Sequence, residues 1–169
     1  FSIVPGGEWA FDMLLEAGYR YDSSLFPIAR RGYGYPSSPS DPYWIVRPGG
    51  RLLELPLATT RLLGLRVPAA GGGYLRQFPF AVIRRAFTER APAARMFYIH
   101  PWEVDPGQPR LDAPLLTRVR HYRGLDRVLP AIDRLLALRP FRSARQIHGH
   151  LLAPVPSPSP APARAVVAT

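Results

Sequence analysis

Short apolar runs bounded by glycine and proline alternate along this chain with stretches of helical periodicity, and that alternation constrains the fold more than any other feature. Strands interleaved with helices belong to the α/β class, in which helices cover the faces of a sheet. The opening Phe1-Ser2-Ile3-Val4 reads as the end of a buried strand with no element before it, so the coding region is expected to be truncated at its start. Glu8 to Ala17 carries Trp9, Met13 and Ala17 at helical spacing, and Gly18 follows as a stop. Tyr19 to Ser23 predicts a short strand. The aromatic, proline-rich stretch from Leu25 to Pro48 predicts a long irregular excursion.

Leu52 to Leu57 predicts a strand that Pro56 places at an edge or an end, and Gly71-Gly72-Gly73 predicts a turn before Tyr74. Phe80 to Arg90 has helical spacing and stops before Pro92. Met96 to Ile99 is a compact apolar run, expected to be a buried strand with His100 at its end. Leu125 to Leu138 predicts an amphipathic helix with Leu125, Val128, Leu129, Ile132, Leu135 and Leu136 on its buried face. Pro130 implies a kink or a later start. From Pro154 to Ala163, proline alternates with Ser and Ala, which predicts a disordered tail.

At 169 residues, 47% of them apolar, the chain suits one folded unit. It has no cysteine, which excludes disulfides and thiolate metal sites, so any metal must rest on His and carboxylates. All 22 basic residues are Arg, for a net charge of +10. That balance suits polyanions, though GC-rich coding produces the same Arg usage. No apolar run is long enough to span a membrane. The cytoplasm is the favoured compartment, although an export signal ahead of Phe1 would change it.

His100-Pro101-Trp102-Glu103, directly after an apolar run, is the strongest local constellation. Polar residues at strand C-terminal ends occupy the catalytic positions of α/β barrels, and imidazole titrates near neutrality, so His100 is a candidate general acid. A His bonded to nearby backbone is the plainer alternative. Asp22 also follows a predicted strand. It can accept a hydrogen bond from an imidazole and fix its tautomer, or simply make an Asx turn with Ser23 and Ser24. Gly71-Gly72-Gly73 lacks the Lys and Ser or Thr of a phosphate loop. His148-Gly149-His150 has no carboxylate beside it to complete a metal site. Arg118, Arg120, His121 and Arg123 form a basic cluster that either meets an anionic sugar or stays solvated.

Taken in order, Phe1 to Ile3, Gly18 to Pro27, Gly71 to Arg76, Phe97 to Arg110 and Arg120 to Tyr122 resemble the polysaccharide deacetylases associated with exosortase and exopolysaccharide loci. These carry a NodB-type catalytic domain and a C-terminal extension. The resemblance runs from residue 1 to about Ile147. It implies the C-terminal part of a distorted β/α barrel over residues 1–110, a helical extension over 111–152 and the tail over 153–169. It also implies a hydrolase of non-peptide carbon–nitrogen bonds that removes N-acetyl groups from a polysaccharide, using a divalent metal, usually zinc. His100 matches the family's late proton donor, and Asp22 matches the carboxylate that tunes it. Trp102 and Phe26 fall where the family has walls of the acetyl pocket. The Asp-Asp, His-containing and Arg-x-Pro motifs would all lie before Phe1, so no metal ligand is carried over and the chain alone is expected to be inactive. Ala29-Arg30-Arg31 departs from relatives, which carry a His and an acidic residue there. The competing readings are a noncatalytic basic glycan-binding or scaffold module and a nucleic-acid binder. No binding motif supports specific recognition of nucleic acid.

Overall fold

The computed structural model describes residues 2–89 and 94–152. Helix α1, Trp9–Glu16, ends where the N–H groups of Gly18 and Tyr19 donate to the carbonyls of Leu15 and Leu14. Gly18 takes φ +82°, a left-handed stop that costs little without a Cβ. The short strand that follows is β1, Tyr21–Asp22.

Strand β2, Tyr43–Arg47, corrects the expectation that Leu25 to Pro48 is irregular throughout. Its aromatic and β-branched side chains suit a pleated surface, and Pro42 and Pro48 flank it without entering it. It pairs antiparallel with β3, Gly50–Glu54, which also pairs parallel with β1. The order β1-β3-β2 places β3 in the centre, and its pairing stops at Glu54, two residues before Pro56.

Successive side chains of a strand face opposite ways, and both faces of β3 are covered. Leu52 packs with Ile3, Phe11 and Leu25 on the α1 side. Leu53 and Leu55 pack on the other side with Leu152 and the partly buried Trp44 and Met96.

A hairpin absent from the sequence expectations follows, made of β4, Thr59–Leu62, and β5, Leu65–Pro68. Leu63 and Gly64 form its turn at φ +50° and +80°, the paired positive values that match the twist of a hairpin. Gly71, at φ +95°, does turn the chain, but Gly72 and Gly73 already belong to helix α2, Gly72–Gln77. Helix α3, Phe80–Thr88, follows as expected, and Arg90 lies outside the described residues.

Met96 to Ile99 is not a buried strand. Only Met96 pairs, by a parallel bridge to Leu57, and Tyr98 and Ile99 are 36% and 37% exposed. The partner chain leaves at Thr59 to pair within the hairpin, so the ladder has nothing to continue on.

The remaining helices are α4, Leu115–Tyr122, α5, Val128–Leu136, and α6, Ala144–Leu152. A 3-10 turn over Leu125–Arg127 leads into α5, so Pro130 sits in the first turn, where its missing N–H is tolerated. The buried stripe of α5 runs through Val128, Ala131 and Leu135. Leu129 and Leu136, expected inside, are 54% and 51% exposed. The largest core joins that stripe to Leu75 of α2, Ile83 and Phe87 of α3, and Phe26, Leu57 and Ala58.

The architecture is mixed α/β, with a three-stranded sheet and a two-stranded hairpin, and no closed barrel forms among the described residues. None of the described helices is long and apolar enough to cross a membrane. The expected tail, Pro154 to Ala163, lies outside the described residues.

Candidate functional site

Three segments far apart in the chain are tied together by the buried pair Arg76 and Glu103. The backbone N–H groups of Gly72 and His100 both donate to Glu103 Oε2 at 3.1 Å, and the Arg76 guanidinium donates to Glu103 Oε1 at 3.2 Å. The same guanidinium donates to the carbonyls of Arg120 and His121 at 3.0 and 3.2 Å, so it also satisfies carbonyls at the end of α4. Both charged side chains are almost wholly buried, at 2% and 4% exposure. An ion pair removed from water is tolerable only when its remaining donors and acceptors are met, and most of them are met here.

The glycines make this approach possible. A Cβ on Gly72 would lie 2.6 Å from Glu103 Oε2, and one on Gly71 would lie 2.8 Å from the Tyr98 ring. Gly71-Gly72 is therefore a docking surface for Glu103 and Tyr98 rather than a phosphate loop.

His100 is held at the start of a 3-10 turn, Pro101–Val104. Its N–H is bonded to the Glu103 carboxylate, and its carbonyl accepts from the Glu103 N–H at 2.9 Å. The imidazole itself is not consumed by backbone. It stacks on Trp102 at 5.7 Å between ring centres and meets Tyr98 edge-on at 5.3 Å.

His121 stacks on Trp102 at 4.3 Å, and Arg76 lies over the same ring at 5.4 Å. Gln108 uses its amide nitrogen on the carbonyls of Trp102 and Asp105, so its oxygen is turned to accept from His121 Nε2 at 3.2 Å. Arg76, Trp102 and His121, with Tyr33, Tyr74, Arg30 and Arg120, line a cavity of about 420 Å³. Burial raises the Tyr74 and Tyr98 phenols above their usual range, so both stay protonated and able to donate. The cavity thus offers an exposed imidazole on a fixed backbone, phenol donors and, besides the Arg76 that Glu103 engages, the cations of Arg30 and Arg120.

Of the residues expected at the site, His100 and Trp102 line this cavity. Phe26 does not. It is 1% exposed and packs behind Tyr33 and Tyr74, which form the wall in its place.

Asp22 is not beside His100 either. It stands opposite Glu54 on β3 and accepts from the Ser24 hydroxyl. Met96 is bridged to Leu57, three residues beyond Glu54, and His100 lies four residues further on. Asp22 lines a separate cavity of about 650 Å³ with Ser23, Met96 and Arg145.

Its true partner, Glu54, is fully buried. Leu25 N–H donates to Glu54 Oε1 at 3.0 Å, and no donor faces Oε2. Burial first, then the charge of Asp22, push the Glu54 carboxyl up to about 8. A protonated Glu54 can give its proton to a hydrogen bond with Asp22.

His148 is buried in α6, and desolvation lowers its pKa. No three His, Asp or Glu side chains converge as a metal site requires among the described residues.

Residues 23–148 match a family model described as "Domain of unknown function (DUF3473)". The chain belongs to this family. The matched span holds Arg76, His100, Trp102, Glu103 and His121, and it begins one residue after Asp22. No curated protein and no solved structure matches the chain. Sequence reasoning missed Arg76, Glu103 and His121 as members of one site. The signal available was that each sits inside a block that carries the family resemblance.

Proposed function

We propose that this chain is the C-terminal part of a metal-dependent polysaccharide N-deacetylase acting in exopolysaccharide biosynthesis, with His100 protonating the leaving amine. In this reading residues 1–110 belong to one arc of a distorted β/α barrel and residues 111–152 are its helical extension. The parallel pairing of β1 with β3 and the parallel Leu57 to Met96 bridge support that arc, because such barrels are built from parallel strands.

One observation carries the reading. His100 leaves its imidazole at a cavity rim while Glu103, through Gly72 and Arg76, fixes the backbone beneath it. A general acid needs that combination of a free ring and a constrained position. Trp102 and Tyr98 set the ring's orientation, the task that the sequence had given to Asp22. The divalent metal, zinc by resemblance, supplies carbonyl polarisation and activated water when bound. Its ligands, an Asp and two His, are expected upstream of Phe1.

Acetate release from an N-acetylated oligosaccharide, with zinc added, tests the reading. The chain as given should release none, and the same chain extended by its upstream coding sequence should release acetate. Turnover by the chain alone, or none by the extended one, contradicts it. A noncatalytic glycan-binding module is the second reading, favoured by the exposed Arg30 and Arg120 at the cavity, and it predicts binding without acetate release in both forms.

A further inference from the structure

The cavity at His100 does not end at Arg120. A second cavity of about 360 Å³ shares Arg76, Gln77 and Arg120 with it and continues past Arg123 and Arg127. The two therefore form one furrow. Its charge is one-sided. Among the described lining residues the only carboxylate is Glu103, and Arg76 already answers it. Arg30, Arg120, Arg123 and Arg127 are exposed and have no acidic partner in the furrow.

Beside those cations lie neutral hydrogen-bonding groups: the Tyr98 hydroxyl, the Thr117 hydroxyl and the Gln77 amide. We propose that this furrow binds an acidic polysaccharide, a glycan whose sugars carry carboxylates, and delivers it to His100. The inference rests on the deacetylase reading and deepens it by naming the charge class of the substrate.

Two features favour a glycan over nucleic acid. Guanidinium forks match carboxylates and phosphates alike, so the neutral groups discriminate: the interspersed hydroxyl and amide groups suit sugar hydroxyls. Single-stranded nucleic acids, by contrast, need free aromatic faces on which bases stack. The furrow's aromatic rings are already engaged. Trp102 is occupied by His100, His121 and Arg76, Tyr74 packs with Phe26 and Phe78, Tyr33 with Phe26 and Arg30, and Tyr98 with His100.

Binding is measured by calorimetry on the full chain with three probes: a hexamer of galacturonic acid, a neutral hexamer of N-acetylglucosamine and a single-stranded thymidine oligomer of matching charge. The uronate hexamer should bind on the order of tenfold more tightly than either other probe. The double variant Arg30→Gln with Arg120→Gln should lose about that factor, because charge and two-point geometry go together. Arg84→Gln with Arg142→Gln removes the same charge from exposed arginines outside the furrow and should change affinity less than about twofold.

Thermal melting of both variants checks that folding is unchanged. Equal binding of the neutral hexamer, equal binding of the thymidine oligomer, or equal losses in the two variants would overturn the inference. Acetate release separates the two ideas. Uronate binding without acetate from the extended chain sinks the deacetylase reading alone, whereas acetate from neutral glycans without uronate binding sinks this inference alone.

Discussion

Glu54 and Glu103 are the two buried acidic side chains among the described residues, and their surroundings are opposites. Glu103 meets a guanidinium and two backbone N–H groups, while Glu54 meets one backbone N–H and another carboxylate. The first arrangement ties three segments together and gives the carboxylate one counter-charge and two backbone donors. The second leaves an acid no cation to answer it, and holding a proton is the remedy. Burial alone therefore does not decide whether a carboxyl acts as an anchor or as a titrating group; its donors decide.

The strongest way to break this contrast is Glu103→Gln. It leaves the Arg76 cation buried without a counter-charge, and it should cost about 3–5 kcal/mol in a urea titration. Replacing the pair together, Arg76→Met with Glu103→Leu, should recover part of that loss. Equal losses in the single and double variants would show that the clamp is not an ion pair.

Glu54→Gln sharpens the other side. With its pKa raised to about 8 in the fold from 4.5, Glu54 keeps a proton that the unfolded chain releases. Stability from this group is therefore full below pH 4.5 and is lost as pH rises towards 8. The variant has no such proton, so its advantage over the native chain should grow between pH 5 and pH 8, by on the order of a few kcal/mol. Parallel stability curves for the two proteins would mean that Glu54 is not held neutral.

The smallest effect belongs to Gly72→Ala. Its Cβ would lie 2.6 Å from an oxygen pinned by two backbone donors, and the displaced carboxylate should cost about 1–3 kcal/mol. An unchanged midpoint would show that the clamp has slack.

Parts of this were legible from the residues in order. Helix α1 and its Gly18 stop are local chemistry, and so is the shift that Pro130 imposes on α5. His100 and Trp102 were found because they are neighbours in one block. The clamp was not, because Arg76 reaches Glu103 across 27 residues and His121 across 45, and no periodicity records such a pairing.

Asp22 and His100 looked alike in sequence, each following an apolar run. Strand register separates them, since Asp22 lies level with Glu54 and His100 lies past the Leu57 to Met96 bridge. Strand β2 was hidden by Pro42 and Pro48, which bound it without interrupting it. Helix α2 was hidden by its own glycines, which serve close packing against Glu103 at the expense of helix propensity.

The most direct test of the central claim is the kinetics of His100→Ala in the upstream-extended chain, with acetate release measured over a range of N-acetylated oligosaccharide concentrations. Loss of a positioned general acid should lower kcat on the order of a hundredfold or more and leave KM nearly unchanged. An undiminished kcat would remove His100 from the chemistry and leave it as a packing partner of Trp102 and Tyr98.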